Sequence, residues 1–206
     1  MNTTSLQRDQ VVREALTLLN EVGIDGVTTR KLAERLGIKS ASLYWHFRNK
    51  RDLLDAMAEA MLVRGDERPP AAGTDWRIWL AGEARAFRKA LLAYRDGARV
   101  HVGTRPEAKD YPAQERETRF LCDAGFSPED AIRAQIAIGF FVVGWVLEEQ
   151  AAAEAARGRG EKTPLPDARE FPMLNAAQAV LRQHDPDSDF EFGLSALIAG
   201  LDGKRR

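Results

Sequence analysis

Residues 136–147, reading Ile-Ala-Ile-Gly-Phe-Phe-Val-Val-Gly-Trp-Val-Leu, are apolar on every side of a helix. Such a helix has no face to offer water and must be enclosed all round. In a chain of 206 residues, a second copy of the same chain is one economical enclosure, and a core built within one chain is the other. The stretch is too short for a bilayer, which takes roughly 20 residues per span. Gly139 and Gly144 either allow close helix approach or make room for Trp145.

The rest of the chain follows helical spacing as well, so the expected fold class is all-α. Val12, Ala15, Leu16, Leu19 and Val22 predict a helix over about 8–22 that stops at Gly23. Thr28 and Thr29 cap a second, carrying Leu32, Ala33 and Leu36 up to Gly37, and a very short third runs over about 40–46. Asn49 caps a fourth, with Leu53, Leu54, Met57 and Met61 on its buried side. Residues 64–75, RGDERPPAAGTD, read as a joint. Beyond it, helices are expected over about 76–94, 107–124, 128–156, 168–183 and 187–201, with Ser127 and Pro128 opening the long one and a loop at 156–167. The domain reading is a head over 1–50, a connecting helix and joint over 51–75, and a body over 76–206.

The net charge of −1 hides an asymmetry. Residues 1–50 carry eight basic and five acidic side chains, which leaves the rest of the chain at −4. A basic head on an acidic body fits a polyanion-binding module joined to something else. The single cysteine, Cys122, excludes an internal disulfide framework and a cysteine metal cluster, and the N-terminal MNTTSLQRDQ has no apolar signal core. A cytoplasmic location without a membrane partner is the expectation.

Within residues 28–47 the informative spacing is Ala33, Gly37 and Leu43. A helix-turn-helix needs a small residue where its helices cross, a residue tolerant of left-handed φ at the turn, and an apolar residue pinning the recognition helix. The flanks strengthen the match. Thr29 and Arg30 start the second helix, while Ser40, Ser42, Tyr44, Trp45 and His46 crowd the exposed side of the third. Lys50 sits at the start of the fourth, where free backbone N–H groups favour a phosphate. The plainer reading is a small helical bundle with a solvated polar face.

The stretch LLNEVGIDGVTTRKLAERLGIKSASLYWHFRNKRDLLDAMAEAML resembles the DNA-binding head of the TetR family, in its tetracycline-repressor branch. FRKALLAYRDGARVHVGTRP, FLCDAGFS, GWVLEEQ and FEFGLSALIAGL resemble that branch's effector-binding and dimerisation core in order and spacing. The likeness implies a homodimer, joined through the helices at about 128–156 and 187–201, that represses transcription from a palindromic operator and is released by a small molecule. By the same resemblance Arg30 reads a guanine, for which bidentate geometry suits arginine. Thr29, Tyr44, Trp45, His46 and Lys50 match contacts to phosphates and neighbouring bases. Ser40 and Ala41 depart from the branch's Gln and Pro, so the central operator bases are expected to differ.

In the body, His101, Thr104 and Glu148 match positions that hold magnesium together with a chelating effector, the imidazole directly and the others through water. No cofactor is implied without that effector. Phe87, Arg105 and Pro106 match further pocket positions. Taken without the motif, His101 is a satisfied histidine at a helix end and Glu148 a surface acid. Asp66, Glu83 and Glu117 stand where the branch has His, Asn and Gln. Carboxylates accept hydrogen bonds and cannot donate them, so this half of the pocket is expected to favour a more cationic effector than tetracycline.

Two other classes compete. An enzyme using His101 and Glu148 as an acid and base finds no support in a nucleophile elbow, a phosphate-cradling glycine loop, HExxH or a cysteine pair, and no enzymatic activity is expected. An effector-independent DNA-binding dimer requires a filled body.

Overall fold

The computed structural model describes residues 7–62, 70–71, 73–104, 108–158, 164–183 and 185–205. The first four helices are α1 (Arg8–Gly26), α2 (Thr29–Leu36), α3 (Ser40–Leu43) and α4 (Lys50–Met61). Gly23 interrupts α1 with a φ of 71°, as expected of a stop, and one further turn follows it. The Thr28 hydroxyl accepts from Lys31 N at 3.2 Å, and Asn49 Oδ1 accepts from Asp52 N at 2.9 Å, so both predicted caps form. Gly37 closes α2 in the left-handed region (φ 67°, ψ 28°), while Ile38 N returns to Ala33 O. Leu32, Ala33, Leu43, Phe47, Leu53 and Met57 are buried in one core with Leu16 and Leu19 of α1. The predicted crossing and pinning roles of Ala33 and Leu43 therefore match their burial.

The body contains α5 (Trp76–Leu92), α6 (Gly97–His101), a 3₁₀ turn (Ala108–Asp110), α7 (Tyr111–Asp123), α8 (Pro128–Gly158), α9 (Pro172–Leu181) and α10 (Pro186–Asp202). Three expectations need correction. The α6 helix was not anticipated, because its five residues are too few to show a period and Gly97 reads as a stop. The α7 helix begins at Tyr111 rather than near Glu107, with Pro112 in its first turn, and α9 begins at Pro172 rather than near 168. Trp76, Leu80, Leu91, Leu121, Phe126, Val142, Val146, Phe190 and Leu194 form the body's core.

Ser127 opens α8 as its cap, with Asp130 N donating to its hydroxyl at 3.1 Å. One chain encloses only part of this helix. Ile138, Val142 and Val146 are buried against α5, α6 and α10, whereas Phe140 is 76 % exposed and Ile132 and Ile136 are also open. By length and composition Pro128–Ala156 as a whole is apolar enough to cross a membrane, although its purely apolar segment, residues 136–147, is too short to do so alone. Arg88 reaches it from α5 and holds Glu149 with two hydrogen bonds of 3.2 and 2.5 Å, which fixes one flank against protein.

Candidate functional site

The head presents one face assembled from the start of α2 and the whole of α3. Leu43 is buried and anchors α3, leaving Tyr44 and Trp45 57 % and 89 % exposed on its far side. An indole standing in water without packing marks a contact surface. Arg30 and Ala41 are exposed, and Thr29, Ser40 and His46 are half-buried, so these candidates line the same two helix ends. Lys50 lies at the first turn of α4, with its Nζ 3.5 Å from Ile24 O at the edge towards α1. Arg8 stacks its guanidinium over Phe47 at 5.0 Å and adds a cation to that edge.

The second site lies around α6. Its last residue, His101, is half-buried, with its ring edge-on to Phe87 of α5 at 5.0 Å between centroids. Thr104 Oγ1 lies 3.4 Å from His101 Nδ1. Burial, and next the charge of Arg51, hold the imidazole pKa below its ordinary value, so the ring is neutral at pH 7 and carries a lone pair.

The acidic candidates lie further along α5 and α7. Trp76 meets Phe126 at 4.9 Å, and Trp79 meets Phe120 at 5.0 Å, so these helices run antiparallel. One turn on from Trp79 is Glu83, and one turn back from Phe120 is Glu117. The same stripe of α5 continues from Trp79 through Glu83, which is exposed, to Phe87, whose ring meets the His101 imidazole. Glu148 is exposed on α8, on the stripe with Ile136, Phe140 and Gly144. Asp66, Arg105 and Pro106 lie outside the described residues.

Among the described residues no three His, Cys, Asp or Glu side chains gather into a metal cage. One imidazole and one hydroxyl suit a hydrated magnesium ion only when oxygens from elsewhere complete its octahedron. The donor set therefore fits a metal that arrives with a chelating ligand.

A third cluster escaped the sequence reading. The head rests on α6 through Ile24 N to Asp96 Oδ2 (2.8 Å), Arg95 N to Asn20 Oδ1 (2.9 Å), and Arg99 forked on Asp25 (3.0 and 3.1 Å). The Arg51 guanidinium of α4 donates to Val102 O at 3.0 Å, directly after His101. Residue for residue, the head touches the body here, next to the imidazole. The signal was present in YRDGARVH, whose alternating charges flank an Asp-Gly turn.

Comparison with known proteins bears on both sites. Residues 11–57 match the family described as "Bacterial regulatory proteins, tetR family", and residues 69–205 match "Tetracyclin repressor-like, C-terminal domain". The chain is 54 % identical over 207 residues to the tetracycline repressor protein class A from transposon 1721 of Escherichia coli, covering 98 % of this chain and 93 % of the relative. It is also similar to the crystal structure of TetR from Acinetobacter baumannii AYE, with 46 % identity, a TM-score of 0.82, and 98 % and 99 % of the two chains covered. A third similarity is to TetR (class A) in complex with 5a,6-anhydrotetracycline and magnesium, with 50 % identity, a TM-score of 0.76, and 98 % and 100 % covered.

Proposed function

The chain belongs to the tetR family of bacterial regulatory proteins, close to the tetracycline repressors, and from that premise we propose how its DNA-reading face and its effector cleft work together. It is a homodimeric, ligand-responsive DNA-binding repressor. Each head places α3 in a major groove, with Arg30 on a guanine edge. Thr29, Tyr44, Trp45, His46 and Lys50 serve phosphates and neighbouring bases, and Ser40 and Ala41 face the central operator positions. The head comprises residues 1–50, residues 51–75 connect it, and 76–206 form the body. As a regulator of bacterial DNA the protein acts in the cytoplasm.

The effector is a small oxygen chelator of the tetracycline class that arrives with magnesium. Neutral His101 supplies nitrogen to the ion, and Thr104 acts through water. A magnesium ion held there would supply Lewis-acid affinity for an oxygen chelator. Glu148 comes from the partner copy, because its stripe on α8 is the face that a second chain covers. Phe87 packs on the imidazole, and Arg105 and Pro106 are assigned to the effector by resemblance to the family alone. The observation that carries this reading is that α6 ends in His101 while its flanks hold Arg51 of α4 and Asp25 of α1. A ligand drawn to that imidazole pulls on the element that seats the head, so effector and operator oppose each other.

A second reading concerns selectivity. With Glu83 and Glu117 one turn from the Trp79–Phe120 contact, and Asp66 a third acid by resemblance to the family, an effector bearing an ammonium group is preferred over one that needs donors there. Titration of tetracycline by fluorescence, with magnesium and then with a chelator, separates the two. Tight magnesium-dependent binding supports the tetracycline assignment, and absence of binding to a folded dimer moves the effector to a cationic class.

A further inference from the structure

The α6 helix belongs to two cores at once. Val100 is fully buried among head residues, whereas Ala98, two positions earlier, is fully buried among body residues. The turn that leads into this helix is closely constrained. Asp96 takes a left-handed conformation (φ 55°, ψ 22°), rare for a residue with a side chain, and a Cβ on Gly97 would overlap the Leu91 carbonyl oxygen. From the body side this elbow is held by the burial of Ala98, by Arg95 Nη2 beside Glu154 Oε1 of α8 at 3.8 Å, and by one amide that bonds its backbone. Gln150, half-buried on α8, accepts from Ala98 N at 3.3 Å through Oε1 and donates through Nε2 to Leu91 O at 3.4 Å and Tyr94 O at 2.9 Å. The head is attached on the other side of the same elbow. Asp96 Oδ2 takes Ile24 N, Arg95 N reaches Asn20, and Arg95 Nη1 donates to Glu21 O at 3.1 Å.

We propose that Gln150 is a positioning residue that sets the angle between each DNA-reading head and the dimer seat. Its place on α8 sets it on the side turned to the elbow, roughly opposite the open stripe that carries Glu148, so that one helix bears both the elbow's anchor and the stripe proposed to face the second copy. Donor and acceptor ends of one amide are both used, so neither a carboxylate nor an aliphatic chain reproduces the grip. Without it, the turn keeps its head contacts and the packing of Ala98 but loses the three backbone hydrogen bonds that fix its orientation on α8. The separation of the two heads then becomes a distribution rather than one value. This inference rests on the DNA-binding dimer reading and is independent of which effector binds.

The test is selection from a randomised duplex pool by the full-length dimer, followed by affinity measurement on enriched half-sites placed at neighbouring spacings. Shifting one half-site by a base pair moves it about 3.4 Å along the duplex and turns it by roughly 35°, so a rigid pair of heads loses at least tenfold in affinity. The wild type is expected to enrich one spacing. Gln150→Ala is expected to enrich the same half-site over several spacings, with a penalty of about threefold or less per base-pair shift. Gln150→Glu, which keeps the acceptor for Ala98 N and faces two carbonyls with a carboxylate, is expected to behave like the alanine variant. Ser127→Ala, which removes the α8 cap far from the elbow, controls for general loss of stability and should keep the wild-type spacing. A Gln150→Ala pool as narrow as that of the wild type overturns the proposal, and so does a Ser127→Ala pool as broad as that of Gln150→Ala. Failure of the wild type to enrich any duplex instead removes the DNA-binding reading on which the proposal stands.

Discussion

In the head, the large apolar side chains left in water are Tyr44 and Trp45, both on the face assigned to DNA. In the body Ile132, Ile136 and Phe140 form a stripe on α8, and further exposed apolar side chains include Ile78 on α5, Met173, Leu174, Val180 and Leu181 on α9, and Phe192 on α10. The head is therefore finished within one chain apart from its ligand face, whereas the body lacks part of its core until a second copy supplies it. Tyr44 and Trp45 lie together just past the end of α3, whereas Ile132, Ile136 and Phe140 share one side of a 31-residue helix.

The largest effect should follow from breaking the body's stripe. Phe140→Asp removes a ring from each copy of a two-fold interface. At about 1.5–3 kcal/mol per buried phenylalanine, the loss is roughly 3–6 kcal/mol per dimer before the cost of burying a carboxylate. Sedimentation should show monomers at concentrations where the wild type is dimeric, with operator affinity lost as a consequence. The equivalent disruption in the head is smaller and local. Arg30→Ala should cost roughly 1–3 kcal/mol in operator binding and relax one base position. Lys50→Ala should weaken all sequences about equally and reduce the salt dependence of binding. Competition against single-base operator variants separates the two, and a uniform loss in both would withdraw base reading from Arg30.

A cap tests whether the head stands on its own. Asn49→Ala removes the acceptor for Asp52 N and should lower stability by about 1 kcal/mol, visible as a shifted thermal transition without loss of the dimer. The smallest effect is a pH dependence from His101. Its pKa is lowered in the fold, so between that value and the ordinary 6.5 the unfolded chain binds more protons than the folded one. Stability should therefore fall as pH drops from about 6.5 through the folded pKa and be unaffected by this residue above 6.5. Thermal unfolding of His101→Asn across that range should show a flatter profile than the wild type.

The same contrast explains what could be read from sequence. Ala33, Gly37 and Leu43 act within a few residues of one another, so spacing alone conveys the crossing, the left-handed turn and the anchor. Thr28, Asn49 and Ser127 declared their helix starts for the same reason. The apolar run of α8 announced that something must enclose it, yet its open stripe became visible only once one side was packed. The α6 helix stayed hidden because it is made by others: Gln150 from α8, Asp25 from α1 and Arg51 from α4 converge on five residues that carry no period of their own. Similarly, His101 and Phe87 were named as pocket residues, but the coupling of that pocket to the head depends on contacts spanning 50 positions or more.

The most direct measurement is operator affinity as tetracycline is titrated in magnesium, repeated with a chelator, with occupancy of the body followed in the same samples. If α6 links the imidazole to the head, occupancy should weaken operator binding by at least about tenfold, within the usual range of allosteric coupling, and the chelator should restore it. Tetracycline bound with magnesium beside an unchanged operator affinity would contradict the account.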